Sequence, residues 1–389
     1  MVREFTLGVE EEFQIIDPRT RDLKSLISQL IDARTPLDEI ELQAELHQSV
    51  VEVATGICED VAHVRRDVVK NRRSAARIAA RAGVRIGAAS THPFAHWEDQ
   101  PITVKERYIQ SVEEMQDAAR GNLIFGLHVH VGLDDRDEAI AIYNSARYFL
   151  PHLLALSVSS PFFNGRKTGL RSTRALIFKR LPRTGIPERF FSYKEFEDFI
   201  ATLVKTGCID DGRRVWWDLR PHPVYNTLEF RVCDLPSRVD DTVTIAAAVQ
   251  AIVAKLAWLH RKNLTFNVYR TAMMDENKWR AARYGVRGKL IDWGKKEEVP
   301  YRYLAEELID FCSEVIDDLG SKAEFEGIRR IAEGGTGADR QLEAYEQSGG
   351  DLRAVVDQIL RETLHGVIDE SEVPALTPLS EGEPIRATG

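Results

Sequence analysis

Three apolar segments carry acidic, imidazole or guanidinium groups at every second position, and this alternation commits the chain to a sheet with one dry face and one reactive face. Phe5, Leu7, Val9, Phe13 and Ile15 fall on one side of a two-residue period, while Thr6, Gly8, Glu10, Glu12 and Gln14 fall on the other. In LIFGLHVHVGL, Leu127, Val129 and Val131 stand behind His128 and His130; in LEFRV, Leu228, Phe230 and Val232 stand behind Glu229 and Arg231. Successive strand side chains point to opposite faces, so the polar groups of each segment gather on one side.

Neighbouring carboxylates in a core sheet repel, and burying them unpaired is costly. A divalent cation relieves that cost, and oxygen ligands with an occasional imidazole favour Mg²⁺ or Mn²⁺ over Zn²⁺. Glu45 and Glu52 flank a further extended segment, ELHQSVVEVAT, so the candidate metal ligands are Glu10, Glu12, Glu45, Glu52, His128 and Glu229. Each pair taken singly also has a plainer reading. Glu10 and Glu12 suit a solvated edge, His128 and His130 suit half of a zinc site, and Glu229 with Arg231 suits a structural ion-pair ladder. Arg171, Arg174, Arg220, Arg231 and Arg283 stand in or beside apolar and turn segments, which makes them candidate clamps for phosphate or carboxylate. Metals with guanidinium groups match phosphoryl transfer, whose charge spreads over the equatorial oxygens. The sequence has no Walker, G-x-G-x-x-G or G-x-S-x-G pattern to support a P-loop, a dinucleotide site or a serine nucleophile.

Asp60 is placed to cap a helix running to about Ala82, whose other face carries Arg65, Arg66, Arg72, Arg73 and Arg77 and reads as solvated. Residues 84–90, 123–133, 213–220 and 227–233 read as strands, and 160–192 as a long ordered loop. After Pro236 the pattern turns helical, over 241–262, 275–284, 301–319, 322–333, 338–347 and 351–364. Strands followed by helices imply an α+β fold, with helices covering one face of a largely antiparallel sheet. The expected organisation is a single catalytic domain over 1–368, strand-rich to 235 and mainly helical from 236, followed by a weakly ordered acidic tail, 369–389.

With 52 Lys and Arg against 61 Asp and Glu, the formal net charge of −9 argues against nucleic acid or anionic membrane as partners and leaves small molecules. Cys58, Cys208, Cys233 and Cys312 have no paired spacing and read as buried thiols of a reducing compartment, one buried disulfide being the alternative. The start, MVREFTLGVEEEF, is acidic where a signal peptide needs an apolar stretch. The longest apolar run, Thr242 to His260, is broken by Gln250 and Lys255, as suits a buried or amphipathic helix rather than a membrane span. The expected location is therefore cytoplasmic.

Six segments, in order, resemble the type 2 glutamate–cysteine ligases, a carboxylate–amine ligase family related to glutamine synthetase. They are GVEEEF at 8–13, AELHQSVVEVATG at 44–56, GLHVHVG at 126–132, WWDLRPHP at 216–223, LEFRVCD at 228–234 and ENKWRAARYG at 276–285. The resemblance implies a glutamine-synthetase-like curved antiparallel sheet, with helices packed on its outer face and ATP and Mg²⁺ or Mn²⁺ on its concave face. It also implies an ATP-dependent carbon–nitrogen ligase that joins an acid to an amine through an acyl phosphate. Glutamate and cysteine are the expected pair; another acid or amine, or a nucleotide- and metal-binding protein without ligase activity, are the alternatives. Carried over by motif, Glu12, Glu45 and Glu52 correspond to one metal, and Glu10, His128 and Glu229 to a second beside the ATP phosphates. His130 is expected near the nucleotide or orienting the metal ligands, and Arg231 as a clamp on the γ-phosphate or acyl phosphate. Arg220 and Arg171 are grouped with the nucleotide contacts, and Arg283 approaches substrate or phosphate, while Asn277 and Arg280 brace their helix. A homodimer or homotetramer is expected.

Overall fold

The structure is a computed structural model and describes residues 4–368 and 384–388. Its centre is a seven-stranded sheet built from β1 (Leu7–Ile16), β2 (Gln43–Ala44), β3 (Val50–Ala54), β4 (Arg85–Gly87), β5 (Leu127–Gly132), β6 (Leu219–Pro221) and β7 (Thr227–Phe230). The order is β6–β7–β5–β1–β3–β2, and every pairing is antiparallel. The ten residues of β1 make it the organiser. One flank pairs with β3 over residues 10–14; the other pairs with β5 over 7–11 and then with β4 over 14–16.

The α+β class and the antiparallel pairing agree with the sequence pattern, but the expected glutamine-synthetase-like curved sheet is corrected. The sheet is open, with β6 and β2 as unjoined edges, and it is neither curved nor closed. A concave wall needs several long neighbouring strands, whereas β2, β4 and β6 have only two or three residues each. The enclosure over the polar face is supplied instead by chain outside the sheet, including Tyr108, Met115, Phe178 and Leu181.

Leu7, Val9, Phe13, Ile15, Leu127, Val129, Val131, Leu228 and Phe230 are buried on the back of the sheet. The helices Val61–Arg81 and Val239–Arg261 pack against it there. Val239–Arg261 is long and apolar enough to cross a membrane, but 89% of its most apolar stretch is buried within the fold, which identifies it as the core helix. Asp240 and Asp241 in its first turn, with His260 and Arg261 in its last, complement the helix dipole.

One charged pair interrupts this apolar back. By the strand period Glu11 must face rearward, and it is only 2% exposed. Arg72 meets it, with Nη2 2.6 Å from Oε1 and Nε 3.1 Å from Oε2, while Thr242 donates to the same carboxylate at 3.0 Å. The reading of the arginine face as solvated is corrected at Arg72, which is fully buried. Remaining guanidinium donors reach the carbonyl oxygens of Pro236, Ser237 and Thr363. The pair thus ties β1, the helix Val61–Arg81 and the start of the core helix together.

Among the cysteines, Cys58, Cys233 and Cys312 are buried as expected, but Cys208 is exposed in the turn after the helix Tyr193–Lys205; all four are free thiols. The loop 160–192 contains a short helix, Arg174–Phe178, and two-residue strand pairings. Of the expected weak tail, 369–383 and 389 lie outside the described residues. Within 384–388, the Ile385 carbonyl accepts from Leu352 and the Thr388 amide donates to Gly165, both at 2.8 Å.

Candidate active site

The register explains why the polar groups converge. Glu12 lies opposite Glu52 across β1 and β3, Glu10 opposite His128 across β1 and β5, Glu229 opposite His130 across β5 and β7, and Arg220 opposite Glu229 across β6 and β7. Cross-strand partners sit about 5 Å apart at Cβ, so five adjacent strands contribute to one patch.

Two ligand-grade clusters result. One atom each from Glu10, His128 and Glu229 lie within 4.8 Å of one another, as do one each from Glu12, Glu52 and His128. His128 Nδ1 is 2.8 Å from Glu10 Oε2, and its Nε2 is 3.9 Å from Glu12 Oε1, so the imidazole stands between the clusters. Glu45 is outside both triads but lines the same cavity, of about 150 Å³, with Glu12, His128, Tyr108, Arg174 and Arg231. The cavity's apolar wall includes Met115, Phe178, Leu181 and Trp216.

Electrostatics divides the acids. Burial, then repulsion from Glu45, pushes Glu12 up to about 7. Glu52 is driven well above the usual carboxylate range by burial and by Glu45, Glu10 and Glu12, and burial also raises Glu45. Burial opposes ionisation of Glu10 as well, but hydrogen bonds to His128 and His130 hold it well below that range. At Glu229 the burial effect is outweighed by the charges of Arg231 and Arg220, and its carboxyl is strongly acidic. Burial, with Arg231 nearby, lowers His128 to about 4, which leaves a neutral imidazole.

The arginines separate into two sets. Arg231 bonds to Glu229 yet keeps a buried Nε without a hydrogen-bond partner. Arg174, 3% exposed, donates to the carbonyl oxygens of Arg231 and Val232 and likewise has an unpartnered Nε. Arg220 holds Glu229 Oε2 at 2.7 Å through Nε and donates from Nη1 to the carbonyls of Arg213 and Val215, so it braces Glu229 from the neighbouring strand. Arg171 and Arg283 do not join the cluster: Arg171 pairs with Asp339 at 3.2 Å, and Arg283 is turned to the Gly169 carbonyl. Arg280 pairs with Glu276 and Glu298, and Asn277 bonds both backbone groups of Ile291. His130 lies beside Glu10 and Glu229, with Nδ1 3.1 Å from the Thr227 hydroxyl and Nε2 3.3 Å from Glu10 Oε1.

The residues present fit divalent cations and a bound anion together. Glu12, Glu45 and Glu52 cannot share one buried spot as three free carboxylates, which is the arrangement a cation neutralises. Beside them, unpartnered guanidinium donors on Arg231 and Arg174 seek acceptors. A cation carrying phosphate oxygens satisfies both demands.

Several contributors had no sequence pattern to reveal them. Tyr108, from the helix Glu106–Met115, donates to the Ala44 carbonyl at 3.0 Å, and Arg107 lies 3.8 Å from Glu45. Gly126 is a further one: its amide donates to Glu12 at 2.6 Å, and a Cβ there would stand 2.5 Å from Arg174 Nη2. Its location just before an alternating strand was the available signal.

Comparison with solved structures defines the class of fold. The glutamate–cysteine ligase of Francisella tularensis in complex with AMP superposes with a TM-score of 0.70 at 13% identity, covering 96% of this chain and 91% of that one. A bifunctional glutathione synthetase from Pasteurella multocida gives 0.68 at 14% identity, covering 95% of this chain and 53% of that one. The fold is shared with these enzymes. At the level of sequence, residues 6–358 match glutamate-cysteine ligase family 2, and the chain belongs to that family. Relatives provisionally named glutamate–cysteine ligase 2 include one from Herpetosiphon aurantiacus, 53% identical over 93% of this chain and 94% of its own, and one from Sorangium cellulosum, 52% identical over 94% and 97%.

Proposed function

We propose that the protein is an ATP-dependent carboxylate–amine ligase, with glutamate and cysteine as its leading acid and amine. The observation that carries the reading is the meeting of Glu10, Glu12, Glu52, His128 and Glu229 with Arg231 on one face of the sheet. Family membership supports it.

In this reading a carboxylate oxygen of the acid attacks the γ-phosphorus of ATP; the bond to the β-phosphate oxygen breaks, and ADP leaves. The amine nitrogen then attacks the acyl-phosphate carbonyl, the carbon–oxygen bond to phosphate breaks, and the amine gives up a proton as the amide forms. Glu10, His128 and Glu229 would hold one Mg²⁺ or Mn²⁺, and Glu12 and Glu52, with Glu45 nearby, a second. Bound there, the cations supply charge neutralisation to phosphate oxygens. Arg231 and Arg174 add guanidinium donors, which stabilise developing negative charge best when already oriented and dry. Arg220 keeps Glu229 in place. Phe178, Leu181 and Trp216 exclude water, against which an acyl phosphate must be protected.

The test is ADP and phosphate release with ATP, Mg²⁺, glutamate and a panel of amines, together with product mass. Turnover requiring both an acid and an amine, with the mass of the amide, is expected. ATP hydrolysis indifferent to the amine, or none with any pair, overturns the assignment; a product from a different amine retains the ligase and replaces cysteine.

A further inference from the structure

Where the chain passes from β3 to the helix Val61–Arg81, a further group of metal-ligating side chains comes together from Cys58, His63 and Asp67. One atom from each lies within 4.8 Å of the others. Cys58 Sγ is 3.8 Å from Asp67 Oδ2, and His63 Nε2 is 3.8 Å from Asp67 Oδ1. With bonds of about 2.3 Å to sulfur and about 2.1 Å to nitrogen or oxygen, a tetrahedral zinc spaces its ligand atoms by roughly 3.4–3.6 Å. The two separations to Asp67 thus exceed that spacing by only tenths of an ångström, and the Cys58 and His63 ligand atoms lie within 4.8 Å of each other.

We propose that Cys58, His63 and Asp67 form a zinc site separate from the active centre. The donor set decides the metal. Thiolate with imidazole selects zinc over magnesium, whereas the carboxylate-rich clusters on the sheet select a hard cation. One chain thereby sorts two metals by ligand softness.

Local structure presents the ligands. Asp60 accepts from the His63 amide at 2.8 Å and so starts the helix, which puts His63 and Asp67 four residues apart on one face. Cys58 is fixed from the sheet side, exchanging two 2.8 Å backbone hydrogen bonds with Leu7 at the head of β1. Access is from the helix side: the Cys58 side chain is fully buried, but His63 and Asp67 keep 33% and 24% of their side-chain exposure. A cavity of about 230 Å³, lined by Gly56, Asp67 and Asn71, adjoins the Asp67 side of the site, and a water from it would be the fourth ligand. Binding forms the zinc–sulfur bond with loss of the thiol proton. In the metal-free ring, Nδ1 accepts a long 3.4 Å bond from the Glu59 amide. Coordination through Nε2 moves the ring proton to Nδ1 and gives up that bond. Once formed, the site clips the head of β1 to the first two turns of the helix that backs it.

The experiment titrates the full chain, stripped with EDTA, with Co²⁺ as the spectroscopic probe, followed by Zn²⁺ competition. A thiolate-to-cobalt band in the near ultraviolet reports a cysteine ligand, which the carboxylate clusters cannot produce. One equivalent with that band, displaced by Zn²⁺, is expected. It should be lost in Cys58→Ser, weakened roughly 100-fold or more in affinity in His63→Gln and Asp67→Asn, and retained in Cys208→Ser. The half-exposed His63 and Asp67 variants keep the test valid if the buried Cys58 variant misfolds, and circular dichroism in EDTA confirms their folding. Absence of the band, its loss in Cys208→Ser, or its persistence at full strength in both His63→Gln and Asp67→Asn overturns the site.

Discussion

Replacing Arg72 by methionine tests whether the back of β1 is held by a buried ion pair. The substitution keeps most of the side-chain volume but removes the partner of a carboxylate that is 2% exposed. Glu11 would retain only the Thr242 hydroxyl at 3.0 Å, and the carbonyls of Pro236, Ser237 and Thr363 would lose their guanidinium donors. Breaking one side of a buried pair costs about 3–5 kcal/mol, because the remaining charge has lost both water and partner. That is roughly a 10²- to 10⁴-fold shift in the folding equilibrium. Because Glu10 and Glu12 sit on either side of Glu11 in β1, part of the loss should also be seen in activity. Urea unfolding of parent, Arg72→Met, Glu11→Leu and the double variant measures it. The double variant should recover most of the loss, since removing both charges removes the uncompensated one. A cost below about 1 kcal/mol for Arg72→Met, or a double variant as unstable as the two singles added, would refute the argument.

Glu12→Gln and Arg231→Lys should each lower kcat/KM by roughly 100-fold or more with the fold retained, the first by removing a cation-facing charge and the second because an ammonium cannot reproduce the guanidinium fork; activity near the parent's at saturating Mg²⁺ would reject either role. Gly126→Ala should cost about tenfold or more in kcat/KM but less than about 1 kcal/mol in stability, because the new methyl meets the far end of the Arg174 side chain rather than backbone, and unchanged kinetics would reject that positioning. Mn²⁺ affinity, followed by electron paramagnetic resonance, should rise with pH through about 7. Below that point a proton on Glu12, whose carboxyl is pushed up to about 7, competes with the cation, so each displaced proton contributes up to about tenfold per pH unit. Affinity independent of pH between 5 and 8 would contradict that competition.

The sequence by itself determined which face of the sheet carries the polar groups. The two-residue period put Glu10, Glu12, His128 and Glu229 opposite an apolar back, and strand geometry permits no other arrangement once the back is buried. The long helices were legible for the same reason: the expected 301–319 is found as Tyr301–Leu319, and 241–262 as Val239–Arg261. Periodicity also places Glu11 on the back, but only the tertiary structure supplies Arg72 as its partner, 61 residues away in sequence. Sheet shape was a tertiary matter too, because strand length and pairing order, rather than composition, left this sheet open and uncurved. The same holds for the arginines. Arg171, Arg220, Arg231 and Arg283 are chemically equivalent as residues, yet neighbours decide their use: Asp339 engages the first, Glu229 the second and third, and the Gly169 carbonyl the fourth. A sequence period fixes the direction of a side chain relative to its own strand; what waits there comes from chain distant in sequence.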